Sequence, residues 1–353
     1  MNRRLLDQVA EKVLRDSLRL KKGEHVTIET WNTGLPFAER VWVHARMAGA
    51  VPVLLFEDED SFVEGYRKGT KETAGQMGEH EYALLSKTDA YVFIPGPVLG
   101  GSSKLTRDEF AASTRYNPSW YEAAKRAKLR AARMLFGYVG PELAKALRKP
   151  IHEIIDHQLR STLVDFQEVR ANAQKVSKLL RPGSTATLRA EGMTLRFELG
   201  EEGGLDAGIV RNKDAAAGEN MVNIPPGYFG REIAHGTMSG TVRLHAPVPR
   251  LRTVADLRFE FEGGKLTSWK STKSQDWLDS LVKSTPKDRR RLGAVIVGLN
   301  PALRRGYGQD RLVEGSVTLF GMFQAAARFA DLDLDGTPLV ANDVLVTTRS
   351  AMM

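Results

Sequence analysis

Hydrophobic positions in the first 150 residues follow two alternating spacings. Leu5, Val9, Val13 and Leu18 recur at helical intervals, and so do apolar positions before Met47. Short apolar runs lie between the helical stretches and predict strands at 25–30, 51–56, 90–94 and 133–138. Strands that alternate with helices predict an N-terminal α/β domain with a mostly parallel sheet, over residues 1–149.

A longer helical pattern starts at Pro150 and ends at Pro182-Gly183. Its apolar positions, which include Leu159, Leu163, Phe166 and Val176, fall along one stripe. A Pro-Gly pair stops a helix because proline cannot continue the backbone hydrogen bonding. We therefore predict that residues 150–182 form one helix that connects two domains.

The pattern changes after Gly183 to short alternating runs separated by turn glycines. These runs predict strands at 185–189, 193–198, 257–261 and 266–269, and a helix at 276–283. Consecutive strands joined by short turns pair in antiparallel fashion. Residues 183–353 are therefore predicted to form an α+β domain with a largely antiparallel sheet.

Composition is that of a globular protein and removes several kinds of chemistry. The chain has 353 residues, 42% hydrophobic and 27% charged, with no apolar run long enough to span a membrane. It starts with a basic pair but has no apolar segment typical of a secretory signal, so we expect a cytoplasmic protein. There is no cysteine, which excludes disulfides, iron–sulfur clusters and thiol catalysis. A metal would need His, Asp, Glu or Tyr ligands.

The net charge of +8 raises the question of an anionic partner. One basic cluster runs from Lys125 to Arg133 and a second from Lys287 to Arg291. Neither is accompanied by an aromatic RNA-binding motif, a zinc finger or a basic zipper. We expect a solvated face rather than a nucleic-acid partner, with an anionic ligand as the alternative.

Three short motifs resemble catalytic or binding signatures but lack the spacing that the chemistry needs. Gly96–Gly101 looks like a phosphate loop, yet Lys104 comes two positions too late to reach a phosphate. His152 and His157 are five residues apart, whereas zinc-binding histidines on a helix are four apart and share a face. Gly236–Gly240 has its serine one position too late for a nucleophile elbow.

Several collinear segments resemble the aminopeptidase T/aminopeptidase S family of metallopeptidases. In the first half these are Leu18–Ile28 and the helix end Ala48-Gly49-Ala50. Those of the second half are Gly218–Gly227 against "N-x-P-x-G-E", Ser239–Val242, Phe261–Lys265, Arg291–Pro301 against "L-G-E-x-x-x-G-x-N-P" and Glu314–Gly321 near "G-T-x-H". The resemblance covers most of the chain and implies the two-domain architecture of that family, with a homodimeric assembly.

The resemblance also implies a centre of two divalent ions held by two glutamates, two histidines, a tyrosine and an aspartate. Such paired metals polarise a scissile carbonyl and supply hydroxide. By position the two glutamates fall on Tyr228 and Ala294, and one histidine falls on Thr318 or Val317. The late "H-x-D" pair falls on Ala341-Asn342-Asp343, so that only Asp343 is retained. The last histidine of the chain is His245.

These substitutions favour a catalytically degenerate relative that binds a peptide or an aminoacyl-like ligand without a metal cofactor. The cleft would contain Tyr228, Ala294, Asn300, Thr318, Ala341 and Asp343. The glycine and proline framework around them persists, either because a cleft is kept or because turns need these residues.

Two other hypotheses remain open from the sequence. The first is an aminopeptidase or other hydrolase with a rebuilt site, in which Glu219, Glu232 and His235 hold a single divalent metal or act as acid and base. The second is anion or nucleic-acid binding through the basic clusters, which would depend steeply on salt concentration.

Overall fold

The structure is a computed structural model that describes residues 2–70, 73, 75–100, 104–244, 257–273 and 275–346. Elements are numbered in chain order. The α-helices are α1 (Arg3–Lys12), α2 (Leu35–Met47), α3 (Glu59–Lys68), α4 (Glu79–Ser86), α5 (Arg107–Ser113), α6 (Tyr116–Ala127), α7 (Pro141–Leu147), α8 (Ile151–Ser161), α9 (Phe166–Leu179), α10 (Asn212–Ala217) and α11 (Gln275–Ser284). A π-helical turn (Val13–Ser17) follows α1, and short 3₁₀ turns lie at Asn32–Gly34, Pro97–Gly100, Leu135–Tyr138, Lys287–Arg289 and Asp310–Leu312.

The strands make up two sheets. They are β1 (His25–Trp31), β2 (Val51–Glu57), β3 (Ala90–Ile94), β4 (Arg130–Met134), β5 (Thr185–Ala190), β6 (Met193–Asp206), β7 (Met221–Ile224), β8 (Tyr228–Ile233), β9 (Ser239–Leu244), β10 (Leu257–Glu262), β11 (Lys265–Ser271), β12 (Leu292–Gly298), β13 (Val317–Gly321), β14 (Gln324–Ala326), β15 (Asp331–Leu334), β16 (Thr337–Ala341) and β17 (Val344–Leu345).

The chain folds into two compact units whose boundaries differ from the predicted ones. Unit 1 consists of Met1–Phe166 and Gly208–Pro226, and unit 2 of Gln167–Ala207 and Gly227–Met353. The predicted division at 149 and 183 treats each domain as one continuous segment. The chain instead returns to unit 1 after β6, because β7 completes the sheet of that unit.

Unit 1 is built on a five-stranded sheet in the order β2-β1-β3-β4-β7, in which every neighbouring pair is parallel. Helix α2 packs on β1 and β2 and against α1, while α4 packs against α6. Trp120 of α6 is buried beside Tyr91 of β3. The predicted α/β domain with a parallel sheet is thus confirmed.

The fourth strand begins earlier than its sequence pattern predicts. The pattern placed it at 133–138, whereas β4 is Arg130–Met134 and a 3₁₀ turn follows. Arg130 is only 3% exposed, forms an ion pair with Glu24 at 2.7 Å and donates to the carbonyl of Leu18. The prediction of this strand depends on a run of apolar residues, and a buried, paired charge such as Arg130 interrupts that run.

The predicted single connecting helix is two helices, α8 and α9. Helix α8 ends at Ser161, where the Ser161 hydroxyl donates to the carbonyl of His157 and the Thr162 hydroxyl to that of Gln158. Hydroxyl side chains that bond to the preceding turn compete with helix continuation. Leu163, which the stripe predicts to be covered, is 39% exposed.

Unit 2 contains a twelve-stranded sheet with antiparallel pairing between its named strands. Its main path runs β14-β13-β12-β8-β6-β5-β15-β16-β17, and β9, β10 and β11 branch from β6. Val176 of α9 and Leu278 and Val282 of α11 belong to its core. The predicted α+β domain with a largely antiparallel sheet is confirmed.

Candidate ligand-binding site

Three neighbouring strands of unit 2, β8, β12 and β13, carry the family's first metal-ligand positions. Alternate residues of these strands point into the core, and they are Phe229, Ile233, Val295, Val297, Val317 and Leu319. Successive side chains of a strand point to opposite faces. Tyr228, Ala294 and Thr318 therefore share the face that is turned away from the core, which we call the outer face.

The register shows how far apart these positions are. Ala294 lies directly opposite Glu232 on β8 and Phe320 on β13, whereas Tyr228 lies opposite Gly298. Tyr228 and Ala294 are thus separated by four residues along the strands, which is roughly 13 Å. Paired catalytic metals lie only about 3.5–4 Å apart. The sheet does not bring these positions together around one point.

Thr318 is completely buried, opposite Ile296 and Ala326 in the sheet. Its hydroxyl has no hydrogen-bond partner among the residues that the structure describes. A neutral hydroxyl replaces the imidazole that the family places here, and Ala294 offers no donor atom. Neither residue can take the place of the anionic or imidazole ligands of a zinc-type ion.

Asp343, the acidic residue that the resemblance retains, has a structural role in the turn between β16 and β17. Its Oδ2 accepts the N–H of Phe329 at 2.8 Å, and its Oδ1 accepts the N–H of Ala330 at 2.9 Å. Oδ1 also lies 2.9 Å from Nη2 of Arg305 in an ion pair. Both carboxylate oxygens already have partners, and Ala341 beside them is exposed and apolar.

The residues present do not fit the dinuclear centre that the family implies. Tyrosine, alanine and threonine stand at three ligand positions, and the aspartate is bound to two N–H groups and a guanidinium. Over the described ranges, no three His, Asp or Glu side chains are grouped closely enough to hold a metal ion.

The three candidates for a rebuilt site do not form a cluster in either unit. Glu219 is exposed after α10 and belongs to unit 1, whereas Glu232 and His235 belong to unit 2. Glu232 lies on β8 over Gly200, where an added Cβ would be 2.8 Å from its Oε2. His235 is exposed in the turn that follows β8.

Asn300, a predicted cleft residue, is fully buried and organises a turn. Its Oδ1 accepts the N–H groups of Ala302 at 3.0 Å and Leu303 at 3.2 Å. Gly227, with φ +128°, packs against Asn300. A Cβ added to Gly227 would lie 2.8 Å from the backbone nitrogen of Asn300. At Gly298 an added Cβ would lie 2.1 Å from a carbonyl oxygen. Close backbone packing therefore accounts for these glycines.

The outer face carries a row of side chains that the sequence did not single out. Glu232, Ala294 and Phe320 lie side by side across β8, β12 and β13, and Ile296 lies beside them. Each of these side chains is half-buried. The Arg311 guanidinium lies 5.9 Å from the centre of the Phe320 ring. Two strand spacings, about 10 Å, separate β8, which carries the carboxylate, from β13, which carries Phe320 with the guanidinium beside it.

A second polar cluster lies in unit 1. Tyr91 donates a hydrogen bond to Glu29, and Tyr116 donates to Glu81 at 2.9 Å. Burial, the largest cause, raises the pKa of Glu29 to about 7, and repulsion by Glu57 and Glu81 adds to this rise. Burial also raises the pKa of Tyr91. This cluster was not predicted from the sequence, because the four hydrogen-bonded residues come from four separate elements.

The short motifs whose spacing does not suit phosphate or zinc binding lie in ordinary structural elements, where the structure describes them. Downstream of the first motif, Thr106 and Glu109 form a capping box at the start of α5. Lys104 pairs with Glu59 and Asp60, while residues 101–103 lie outside the described residues. His152 is exposed in the first turn of α8, which has no side-chain cap.

The first basic cluster does not form a single solvated face. Lys125 and Arg126 lie on α6, and Arg126 pairs with Glu122, whereas Arg130 is buried in β4. Arg133 donates to the hydroxyl of Tyr121 at 2.7 Å. No helix in the described part of the chain is long and apolar enough to cross a membrane.

The parallel α/β unit, the antiparallel unit and the substituted ligand positions on the second sheet agree with the two-domain metallopeptidase architecture that the collinear segments imply. The sequence matches the family described as thermophilic metalloprotease (M29) over residues 2–301. The chain belongs to this family, which confirms the resemblance drawn from the collinear segments.

Two solved structures share the whole fold at low sequence identity. Wild-type AmpT from Thermus thermophilus matches with a TM-score of 0.68 and 16% identity over 97% of this chain and 99% of its own. The 2,5-dihydroxypyridine dioxygenase from Pseudomonas putida KT2440 matches with a TM-score of 0.65 and 12% identity, over 99% of both chains. No curated protein sequence matches significantly. Because a dioxygenase shares the fold, the chemistry has to be argued from the site.

Proposed function

We propose that this protein is a catalytically degenerate member of its metallopeptidase family that binds a short peptide or an aminoacyl-like ligand on the outer face. The observation that carries the proposal is the exchanged set of side chains on that face. Neutral residues stand at Tyr228, Ala294 and Thr318, while the carboxylate of Glu232 lies directly opposite Ala294. No dinuclear metal hydrolysis is expected from such a set.

The chemistry of the outer face supports a zwitterionic ligand. The carboxylate of Glu232 would accept hydrogen bonds from a terminal ammonium group, a charge-assisted contact. Ala294, Ile296 and Phe320 offer apolar surface to a side chain. Arg311 beside Phe320 would attract a terminal carboxylate. The two strand spacings, about 10 Å, between Glu232 on β8 and Phe320 on β13 fit a peptide of two or three residues.

Metal analysis of the purified protein tests the loss of hydrolysis. We expect less than stoichiometric zinc, cobalt or manganese after dialysis against each metal, and no release of aminoacyl reporter groups. Stoichiometric metal that disappears in His235→Ala would instead support the rebuilt hydrolase. Glu198→Gln, at an exposed carboxylate of β6, is the matched control for nonspecific metal loss.

Calorimetry with unmodified tripeptides and their N-acetylated counterparts tests ligand binding. We expect the wild type to prefer the free amino terminus and Glu232→Gln to lose that preference, with an affinity roughly ten-fold lower. Glu198→Gln should behave as the wild type. Equal binding of free and acetylated peptides by the wild type would contradict the role of Glu232.

The proposal includes a homodimer, as the family resemblance implies.

A further inference from the structure

Two glycines lie directly opposite each other on the outer face, Gly204 of β6 and Gly230 of β8. Neither has a left-handed φ, so the backbone conformation does not require glycine at either position. A Cβ added to Gly204 would have no atom within 4 Å, and one added to Gly230 would meet a side-chain atom of Ile296 at 3.1 Å. Close backbone packing, which accounts for Gly227 and Gly298, therefore does not account for this pair.

The glycine pair leaves a gap between larger side chains in the middle of the sheet. Gly204 is exposed, and Gly230 is half-buried beside the half-buried Ile296. Glycine weakens the interior of a strand, and where it persists it often marks a place where a ligand approaches the backbone. Glu232 lies on the same face, two residues from Gly230 along β8, which is about 7 Å. The gap is therefore next to the carboxylate of the proposed site.

A buried hydroxyl lies on the same line across the sheet. Gly230 lies opposite Ile296 of β12, and Ile296 lies opposite Thr318 of β13. The four residues Gly204, Gly230, Ile296 and Thr318 form one row across four neighbouring strands, which we call the central row. Thr318 is 0% exposed, and its hydroxyl has no hydrogen-bond partner in the described part of the chain. Because a buried polar group without a partner costs stability, this hydroxyl is suited to a polar group of a ligand.

We infer that the ligand crosses the strands along the central row, with its first side chain over the glycine pair and its terminal carboxylate hydrogen-bonded to Thr318. Thr318 is shorter than its half-buried neighbours Ile296 and Phe320, and a ligand that displaces either side chain reaches the hydroxyl. Ile296 borders the gap, which suits a large apolar first side chain. The inference rests on the proposed function and adds a requirement at each end of the ligand.

Calorimetry with three peptides tests both ends of the ligand. The peptides are Phe-Ala-Ala, its carboxyl-terminal amide and Gly-Ala-Ala. We expect the wild type to bind Phe-Ala-Ala roughly ten-fold or more tightly than either of the others. The amide lacks the charge that strengthens the hydrogen bond from Thr318, and Gly-Ala-Ala leaves the gap beside Ile296 unfilled.

Thr318→Val removes the hydroxyl and keeps the size of the side chain. We expect roughly five-fold weaker binding of Phe-Ala-Ala and a smaller effect on its amide, because a charged acceptor forms the stronger hydrogen bond. Thermal stability should not fall, since the hydroxyl has no partner to lose among the described residues. The matched control is Thr27→Val, where a buried hydroxyl lies 2.7 Å from that of Thr88. It should lose stability and bind all three peptides as the wild type does.

Gly204→Leu fills the gap. We expect it to remove the preference for Phe-Ala-Ala over Gly-Ala-Ala without lowering thermal stability, because an added Cβ meets no atom within 4 Å. Gly65→Leu on α3 is the matched control, since it adds the same side chain to open space in unit 1. This variant should keep the wild-type preference.

Failure of the inference is distinguishable from failure of the proposed function. A wild type that binds none of the three peptides would overturn both. Binding that depends on Glu232 but is equal for all three peptides would overturn the inference alone. Unchanged preferences in Thr318→Val or in Gly204→Leu would overturn it in the same way.

Discussion

Glu29 lies on β1 in the polar cluster of unit 1, where its carboxyl group accepts a hydrogen bond from Tyr91. Its pKa in the folded state is about 7, above the ordinary value of 4.5, because burial disfavours the charged form. The folded protein therefore holds this proton more tightly than the unfolded chain. The contribution of Glu29 to the free energy of unfolding should fall as the pH rises from about 4.5 to about 7, and stay constant above.

Glu29→Gln should remove this dependence on pH. Relative to the wild type, we expect the variant to gain up to about 3 kcal/mol between pH 5 and pH 8, because glutamine cannot ionise and still accepts the Tyr91 hydrogen bond. Urea unfolding at a series of pH values measures the difference. Glu39→Gln, an exposed position on α2, should follow the wild-type curve. Parallel curves for Glu29→Gln and the wild type would contradict the raised pKa.

Asp343 provides a second test at a single residue. Asp343→Asn keeps an acceptor for one backbone N–H and tolerates the positive φ of 61°, but loses the ion pair with Arg305. We expect the free energy of unfolding to fall by about 2 kcal/mol, and we expect neither the variant nor the wild type to hold stoichiometric zinc. Asp276→Asn at an exposed helix position is the control. A loss of bound zinc without a loss of stability would mean that Asp343 is a metal ligand.

At the scale of elements, the contact between Gly227 and Asn300 joins the loop before β8 to the loop after β12. Gly227→Ala adds a methyl group 2.8 Å from the backbone nitrogen of Asn300, at a residue with φ +128°. We therefore expect the free energy of unfolding to fall by about 3 kcal/mol or more. Gly183→Ala, at φ +77° with no atom within 4 Å, isolates the backbone cost and should lose only about 1 kcal/mol. Equal losses in thermal unfolding would show that crowding at Asn300 has no effect.

Elements whose burial follows a simple period were predicted well from the sequence. Strand β3 has the predicted bounds, and β1 and β2 differ from theirs by one residue. The errors lie where a polar interaction competes with the period, as for Arg130 in β4 and for the hydroxyls of Ser161 and Thr162. Strand β7 was missed because only four residues pair with β4.

At the scale of the whole molecule, unit 1 needs a segment that the chain supplies late. A fragment of residues 1–182 lacks β7 and leaves β4 unpaired on one side, so we expect it to be aggregated or rapidly digested by proteases. Joining residue 166 to 208–226 through a short Gly-Ser linker should restore a protected fold, because a Cβ at Gly208 would lie only 3.3 Å from the Phe166 ring. Equal protease resistance of both fragments would contradict the requirement for β7.

The candidate site could be predicted only in part. Collinear motifs located the strands of the outer face and the substituted positions Tyr228, Ala294 and Thr318. Glu232 was proposed as a partner of His235, but its place opposite Ala294 follows from sheet register. Sequence order does not determine which strands become neighbours, so Phe320 and Arg311 could not be assigned to the site.

The placement of β7 affects how the protein can be made on the ribosome. Unit 1 cannot close its sheet until residue 224 has left the exit tunnel, by which time β5 and β6 of unit 2 have been synthesised. During translation, strands β1–β4 are therefore complete before β7 is available, and the edge of β4 that pairs with β7 is exposed. We expect nascent chains that stop before β7 to be the form of this protein that most needs a chaperone.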